Sequence, residues 1–116
     1  MCNKENCIFC KIVNKEIPGS IAYEDDVIVA FHDLQPQAPV HVLIVPKEHI
    51  SSLDEVTFDQ MEVMGWLMAK VKDIAAELGL ENGYRLVCNC GEDGMQTVKH
   101  LHFHLLGKRK MLWPPG

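Results

Sequence analysis

The chain has 116 residues, 47% of them hydrophobic and 23% charged, with a formal net charge of −5. That length suits one domain with one hydrophobic core. The acidic balance argues against a nonspecific nucleic-acid binder, which is normally basic, and no stretch reaches the roughly 18 apolar residues of a membrane span. One bound phosphate is still compatible with an acidic protein, because a few backbone amides can hold it. Met1-Cys2-Asn3-Lys4-Glu5-Asn6-Cys7 is polar and lacks the apolar run of a secretion signal. The five cysteines, an odd number, then point to free thiols or metal ligands in a cytoplasmic protein, not to a disulfide framework.

In chain order, Ile8 to Asn14 reads as a short helix, broken by Ile17-Pro18-Gly19. Ile21 to Tyr23 and Val27 to His32 form a hairpin whose turn is Glu24-Asp25-Asp26. Pro36 and Pro39 bracket a loop, and Val42-Leu43-Ile44-Val45 is an apolar strand stopped by Pro46. A long helix runs from Thr57 to Leu78. Thr57-Phe58-Asp59-Gln60 matches a capping box, and Gly79 is a C-terminal stop. Its apolar stripe is Met61, Met64, Leu67, Met68, Val71, Ile74, Ala75 and Leu78, with the methionines read as core packing. Tyr84 to Cys88 and Leu101 to Leu106 are two more strands, separated by the turn-rich Asn89-Cys90-Gly91-Glu92-Asp93-Gly94. The order predicts one α+β domain over residues 1–116, with about five strands in a mainly antiparallel sheet, one short helix and one long one.

Three of the six histidines fall in the run His100-Leu101-His102-Phe103-His104. On a strand they share one face, leaving Leu101, Phe103 and Leu105 to the core. Each buried imidazole needs partners for two nitrogens, so packing alone would not select three together. Two chemistries use such an array: metal binding, or one imidazole acting as nucleophile while its neighbours orient it. A zinc-dependent hydrolase on His100, His102 and His104 fits the spacing as well. The upstream loop Gly94-Met95-Gln96-Thr97-Val98 favours the nucleophile, because its neutral donors suit phosphate oxygens. Asn89 adds another donor. Cys7-Ile8-Phe9-Cys10 is a C-x-x-C pair that alone could be redox-active, metal-binding or neither.

The run His100-Leu101-His102-Phe103-His104-Leu105-Leu106 resembles the His-φ-His-φ-His-φ-φ signature of the histidine triad (HIT) family. The resemblance extends from Ile8 to Gly116 and includes Phe31-His32-Asp33, Gln37-Ala38-Pro39-Val40-His41 and Val45-Pro46-Lys47-Glu48-His49-Ile50. Trp113-Pro114-Pro115-Gly116 is similar to the ending of the Hint branch. It implies a single HIT domain that hydrolyses purine nucleoside phosphoramidates through a nucleotidyl-histidine intermediate on His102. By the same resemblance His104 contacts phosphate and His41 supports the nucleophile. Asp33 takes the ribose, with Phe31, His32 and Leu34 near the base, and Asn89, Gln96 and Thr97 lie around the phosphate. Ligands would be AMP, GMP and their amine derivatives, with no nucleic acid or membrane partner. The family's homodimer would bring Trp113 toward the partner's site.

Met95 stands where that pattern usually has a small residue, often glycine, so its side chain is expected to narrow the phosphate approach. The resemblance to zinc-containing bacterial-type members also implies a structural zinc on Cys7, Cys10, His49 and His100, with no catalytic metal. A nucleotide-binding scaffold with little turnover and a dinucleoside polyphosphate hydrolase are the alternatives.

Overall fold

Ile28 to His32 and Val40 to Pro46 are apolar on both faces, and a strand of that kind has to be covered on both. In the computed structural model, which describes residues 6–116, they lie inside an antiparallel sheet. The polar start read over residues 1–5 lies outside the described residues. The elements are α1 (Ile8–Val13), β1 (Ile21–Glu24), β2 (Ile28–His32), β3 (Val40–Pro46), α2 (Met61–Glu77), β4 (Tyr84–Val87) and β5 (Phe103–Gly107). The strand order is β1-β2-β3-β5-β4, with every pair antiparallel.

Alternation sorts the sheet into two cores. Ile28, Ala30, Val42, Ile44, Phe103 and Leu105 face α2, where they pack with Leu67, Val71, Ile74 and Ala75. Val29, Phe31, Leu43 and Val45 face the other way and pack with Phe9, Cys10, Ile12 and Val13 around α1. Leu67 and Ile74 are essentially sealed from solvent. Burial of a side chain of that size contributes about 1.5–3 kcal/mol.

A 3-10 turn, Phe58–Gln60, precedes α2, and the Thr57 N–H donates to Oε1 of Gln60 at 2.9 Å. The expected box therefore caps this turn. The helix ends with Gly79 at φ +76°. The Leu80 N–H donates to the Ala75 carbonyl and the Gly79 N–H to that of Ala76, a left-handed cap only glycine enters at little cost. Met64 packs on the core, but Met61 and Met68 are exposed, so the core reading of the methionines fails for these two. At 100° per residue they lie about 80° round the helix from its buried centre.

The strand expected from Leu101 begins only at Phe103. His100 turns its carbonyl onto Nδ1 of His102 at 2.7 Å. A regular strand, advancing about 3.3 Å per residue with carbonyls aimed at its neighbours, has no such local bond. His100 and His102 thus precede the strand that carries His104.

Candidate active site and metal centre

Cys7 caps α1 with its sulfur, which accepts the Cys10 N–H at 3.3 Å. One helical turn brings both cysteines toward His49, just after β3, and His100, just before β5. The four ligand atoms lie within 4.8 Å of one another. Cys7 Sγ is 3.3 Å from Nδ1 of His100, and Cys10 Sγ is 3.2 Å from Nδ1 of His49 and 3.7 Å from that of His100. A tetrahedral zinc with ordinary bond lengths separates its sulfur and nitrogen ligands by about 3.6 Å. With Cys10 as a thiolate, the donor set therefore fits a closed structural metal centre. His100 Nε2–H donates to the Pro46 carbonyl at 2.9 Å, leaving Nδ1 as the lone pair in the cluster. Burial pushes His100 down to about 4, so its imidazole is neutral.

Carbonyls only accept, so the bond to the His100 carbonyl places the His102 proton on Nδ1 and a lone pair on Nε2. A second chain of bonds fixes His104. The Gln37 N–H donates to Nδ1 of His41 at 3.0 Å, which leaves the His41 proton on Nε2. That N–H lies 2.9 Å from Nδ1 of His104 and 3.4 Å from Oδ2 of Asp33. His104 accepts on Nδ1 and keeps its own proton on Nε2. Asp33, His41 and His104 are close enough to suggest a second metal group. The Gln37 N–H rules against it, because a neutral His41 has no lone pair left on Nε2. Nor do His100, His102 and His104 converge as the metal triad their spacing allowed: His100 belongs to the cysteine cluster, and the other two line a cavity.

That cavity has a volume of about 330 Å³ and also takes in Phe31, His32, Asp33, Leu34 and Thr97, a size suited to a small ligand. The sequence reading missed Ile8, Phe9, Ile12 and Leu43, which form its apolar wall. Positions 8, 9 and 12 share a helix face, so their spacing carried the signal, but apolar residues there read equally well as core. His41 stands behind His104. Asn89, Met95, Gln96 and Trp113 are not part of the lining.

The loop explains three of these. Gln96 is committed to holding its own backbone: Nε2 donates to the carbonyls of Ser51 at 2.7 Å and Val98 at 2.9 Å, and Oε1 accepts from the Gly91 N–H. Both amide hydrogens are used, leaving none for phosphate. The Met95 side chain is 73% exposed and does not narrow the cavity. What marks the position is backbone: Met95 has φ 60°, a left-handed conformation that glycine takes readily. Asn89 is half-buried at the end of β4 between Cys88 and Cys90, two free thiols. Burial, with Cys90 nearby, pushes the Cys88 thiol up, which suits an inert cysteine. Trp113 is exposed, its ring 5.9 Å from the Arg85 guanidinium on β4.

The sequence pattern of the HIT domain matches residues 14–111. The chain is 54% identical over 112 residues to an uncharacterized HIT-like protein of Synechococcus elongatus, covering 97% of this chain and 98% of that one. It is 48% identical over 111 residues to a 14 kDa zinc-binding protein of Zea mays, covering 94% and 87%. Among solved structures, a HIT family hydrolase from Legionella pneumophila superposes with a TM-score of 0.93 at 49% identity, covering 96% of this chain and all of that one. The chain belongs to the HIT domain family. Its five-stranded antiparallel sheet with one long helix is the fold of a HIT family hydrolase.

Proposed function

We propose that this chain, as a single HIT domain, hydrolyses the P–N bond of purine nucleoside phosphoramidates. The observation that carries the reading is the fixed tautomer of His102: Nδ1–H on the His100 carbonyl, Nε2 unprotonated, in a cavity shared with Asp33, Thr97 and His104. The nucleoside lies along Ile8, Phe9, Phe31 and Leu43, with its ribose hydroxyls on Asp33. His102 Nε2 attacks phosphorus, forming an N–P bond as the P–N bond to the amine breaks. The departing nitrogen takes a proton from solvent through the Thr97 hydroxyl. His104 Nε2–H donates to a nonbridging oxygen, where charge grows in the transition state. Water then attacks phosphorus, the His102–P bond breaks, and the water's proton returns to solvent. Water is thereby added across the P–N bond, and His102 is restored.

Cys7, Cys10, His49 and His100 would hold a zinc ion, as the name of the maize relative suggests. When bound, the ion supplies a crosslink between α1 and the sheet and takes no part in the bond changes. We read the protein as a cytoplasmic homodimer joined along the outer edge of β4, where Tyr84 and Trp113 are exposed. The tail around Trp113 would then meet the partner's cavity.

The test is mass spectrometry of protein quenched during turnover of adenosine 5′-monophosphoramidate. A nucleotide adduct on His102 is expected. An adduct on another residue, or rapid turnover with none, overturns the mechanism.

A further inference from the structure

Phe9 sits between the two cysteines of the metal cluster, and its ring is buried. It meets His102 edge-on, with ring centroids 5.1 Å apart and planes at 84°. It also meets His100 at 6.0 Å and Phe31 at 5.3 Å. A buried aromatic contact of this kind fixes a ring's plane as well as its position. The second restraint on His102 is the His100 carbonyl at 2.7 Å. His100 is itself held at both ring nitrogens, Nδ1 in the cluster and Nε2 on the Pro46 carbonyl. The Leu101 N–H donates to the Ile50 carbonyl at 2.6 Å, tying this run to the residue after His49. Both restraints on His102 therefore start at the cluster, one through α1 and one through the backbone of His100. At six residues, α1 is too short to hold its shape alone.

We infer that the Cys7–Cys10–His49–His100 cluster, when it holds its metal, sets the ring plane and tautomer of His102 through Phe9 and the His100 carbonyl. Phe9 is thus a positioning residue for the nucleophile, an assignment that rests on the reading of His102 given above. Loss of the metal releases α1 and withdraws Phe9. His102 can then place its proton on Nε2, where the attacking lone pair is needed. Metal occupancy gates the reaction although the ion never touches substrate.

The test records nitrogen–proton correlations of the histidine rings, which report tautomers directly. Three samples of the 116-residue chain are compared: zinc-loaded, chelated, and zinc-loaded Phe9→Leu. Zinc content and far-ultraviolet circular dichroism are measured in each. The zinc-loaded chain is expected to show His102 as one tautomer with its proton on Nδ1. The other two are expected to show both tautomers in exchange, while the His41–His104 pair is unchanged. First-turnover nucleotide transfer should fall about 10- to 100-fold in both, the scale of a misplaced reacting group. A single Nδ1–H tautomer in the folded, zinc-free chain and in Phe9→Leu overturns the inference. If chelation abolishes the dichroism signal, Phe9→Leu decides alone. If Phe9→Leu loses zinc, Phe9→Met replaces it, keeping the volume without the ring. The two readings fail separately. An adduct away from His102 defeats the nucleophile assignment, whereas an adduct on His102 with unaltered tautomers defeats only the coupling.

Discussion

The backbone N–H of Gln37 donates to Nδ1 of His41 at 3.0 Å, and this bond decides which nitrogen carries the proton on His104, 63 positions further along the chain. Only one arrangement satisfies the chain of bonds: His41 donates from Nε2, and His104 accepts on Nδ1 and donates from Nε2. His41→Phe removes the donor behind His104 and frees it to take either tautomer. Turnover of a phosphoramidate should fall about 100-fold, a size typical of lost acid–base positioning, with KM changing much less. Gln37→Ala keeps the backbone N–H and should stay within about twofold of the parent, as most substitutions away from such features do. Steady-state kinetics on both variants check this. Equal losses would show that the loop side chain, not the bond, matters.

Burial pushes His104 down to about 4 from an ordinary 6.5, with His102 and His41 adding to the shift and Asp33 opposing it. His41 is lowered too, by burial working against Asp33. Between about pH 6.5 and 4 the unfolded chain therefore binds more protons than the folded one. Stability rises with pH across that window and is lost as pH falls through it. Thermal melts of zinc-loaded protein should show Tm falling from pH 7 to pH 4.5. His104→Asn removes one of the lowered histidines and should flatten the fall. An unchanged slope would assign the acid sensitivity elsewhere.

Two parts of the site were open to sequence reading to different degrees. The continuous apolar run Val42–Val45 pointed to a strand at the covered sheet centre, because apolar residues on both faces leave few other arrangements. The histidine run was less transparent. Equal spacing suggested one shared face, yet the chain is irregular before Phe103, and His100 leaves for the cysteine cluster while His104 sits on β5. That departure depends on Cys7, His49 and Pro46, far away in sequence, so no local pattern carried it. The cavity wall was hidden for another reason: Ile8, Phe9 and Ile12 serve as core and as lining at once. Gln96 was assigned to phosphate by its chemistry, and only the folded loop reveals that its amide is already occupied.

The cluster gives a prediction on folding. A second cavity, lined by Cys7 and His49 among others, reaches its edge, so a chelator has access. Removal of zinc should leave β2 and β3 protected in hydrogen exchange, because both strands are buried from two sides. Residues 8–13 should exchange much faster. Cys10→Ser should do the same without chelator. Protection of α1 that survives both treatments would mean that its buried face alone holds it to the sheet.

The loop before the histidines gives the last prediction. A Cβ on Gly94 would sit 2.5 Å from the Cys90 carbonyl oxygen and 2.8 Å from the Cys90 nitrogen. These are backbone atoms, so no rotamer relieves the clash and the loop must open. Gly94→Ala should shift Gln96 off the Ser51 carbonyl and displace Thr97, lowering turnover about 10-fold through misplaced phosphate contacts. Met95 is the opposite case. Its left-handed backbone costs a residue with a Cβ about 1–2 kcal/mol, and its exposed side chain gains little packing in return. Met95→Gly relieves that strain but adds the entropy of a freer unfolded chain, so a net gain of about 0.5–1 kcal/mol is expected. Urea unfolding of the two variants separates the effects. A destabilised Met95→Gly would show that the methionine side chain contributes more than its exposure allows.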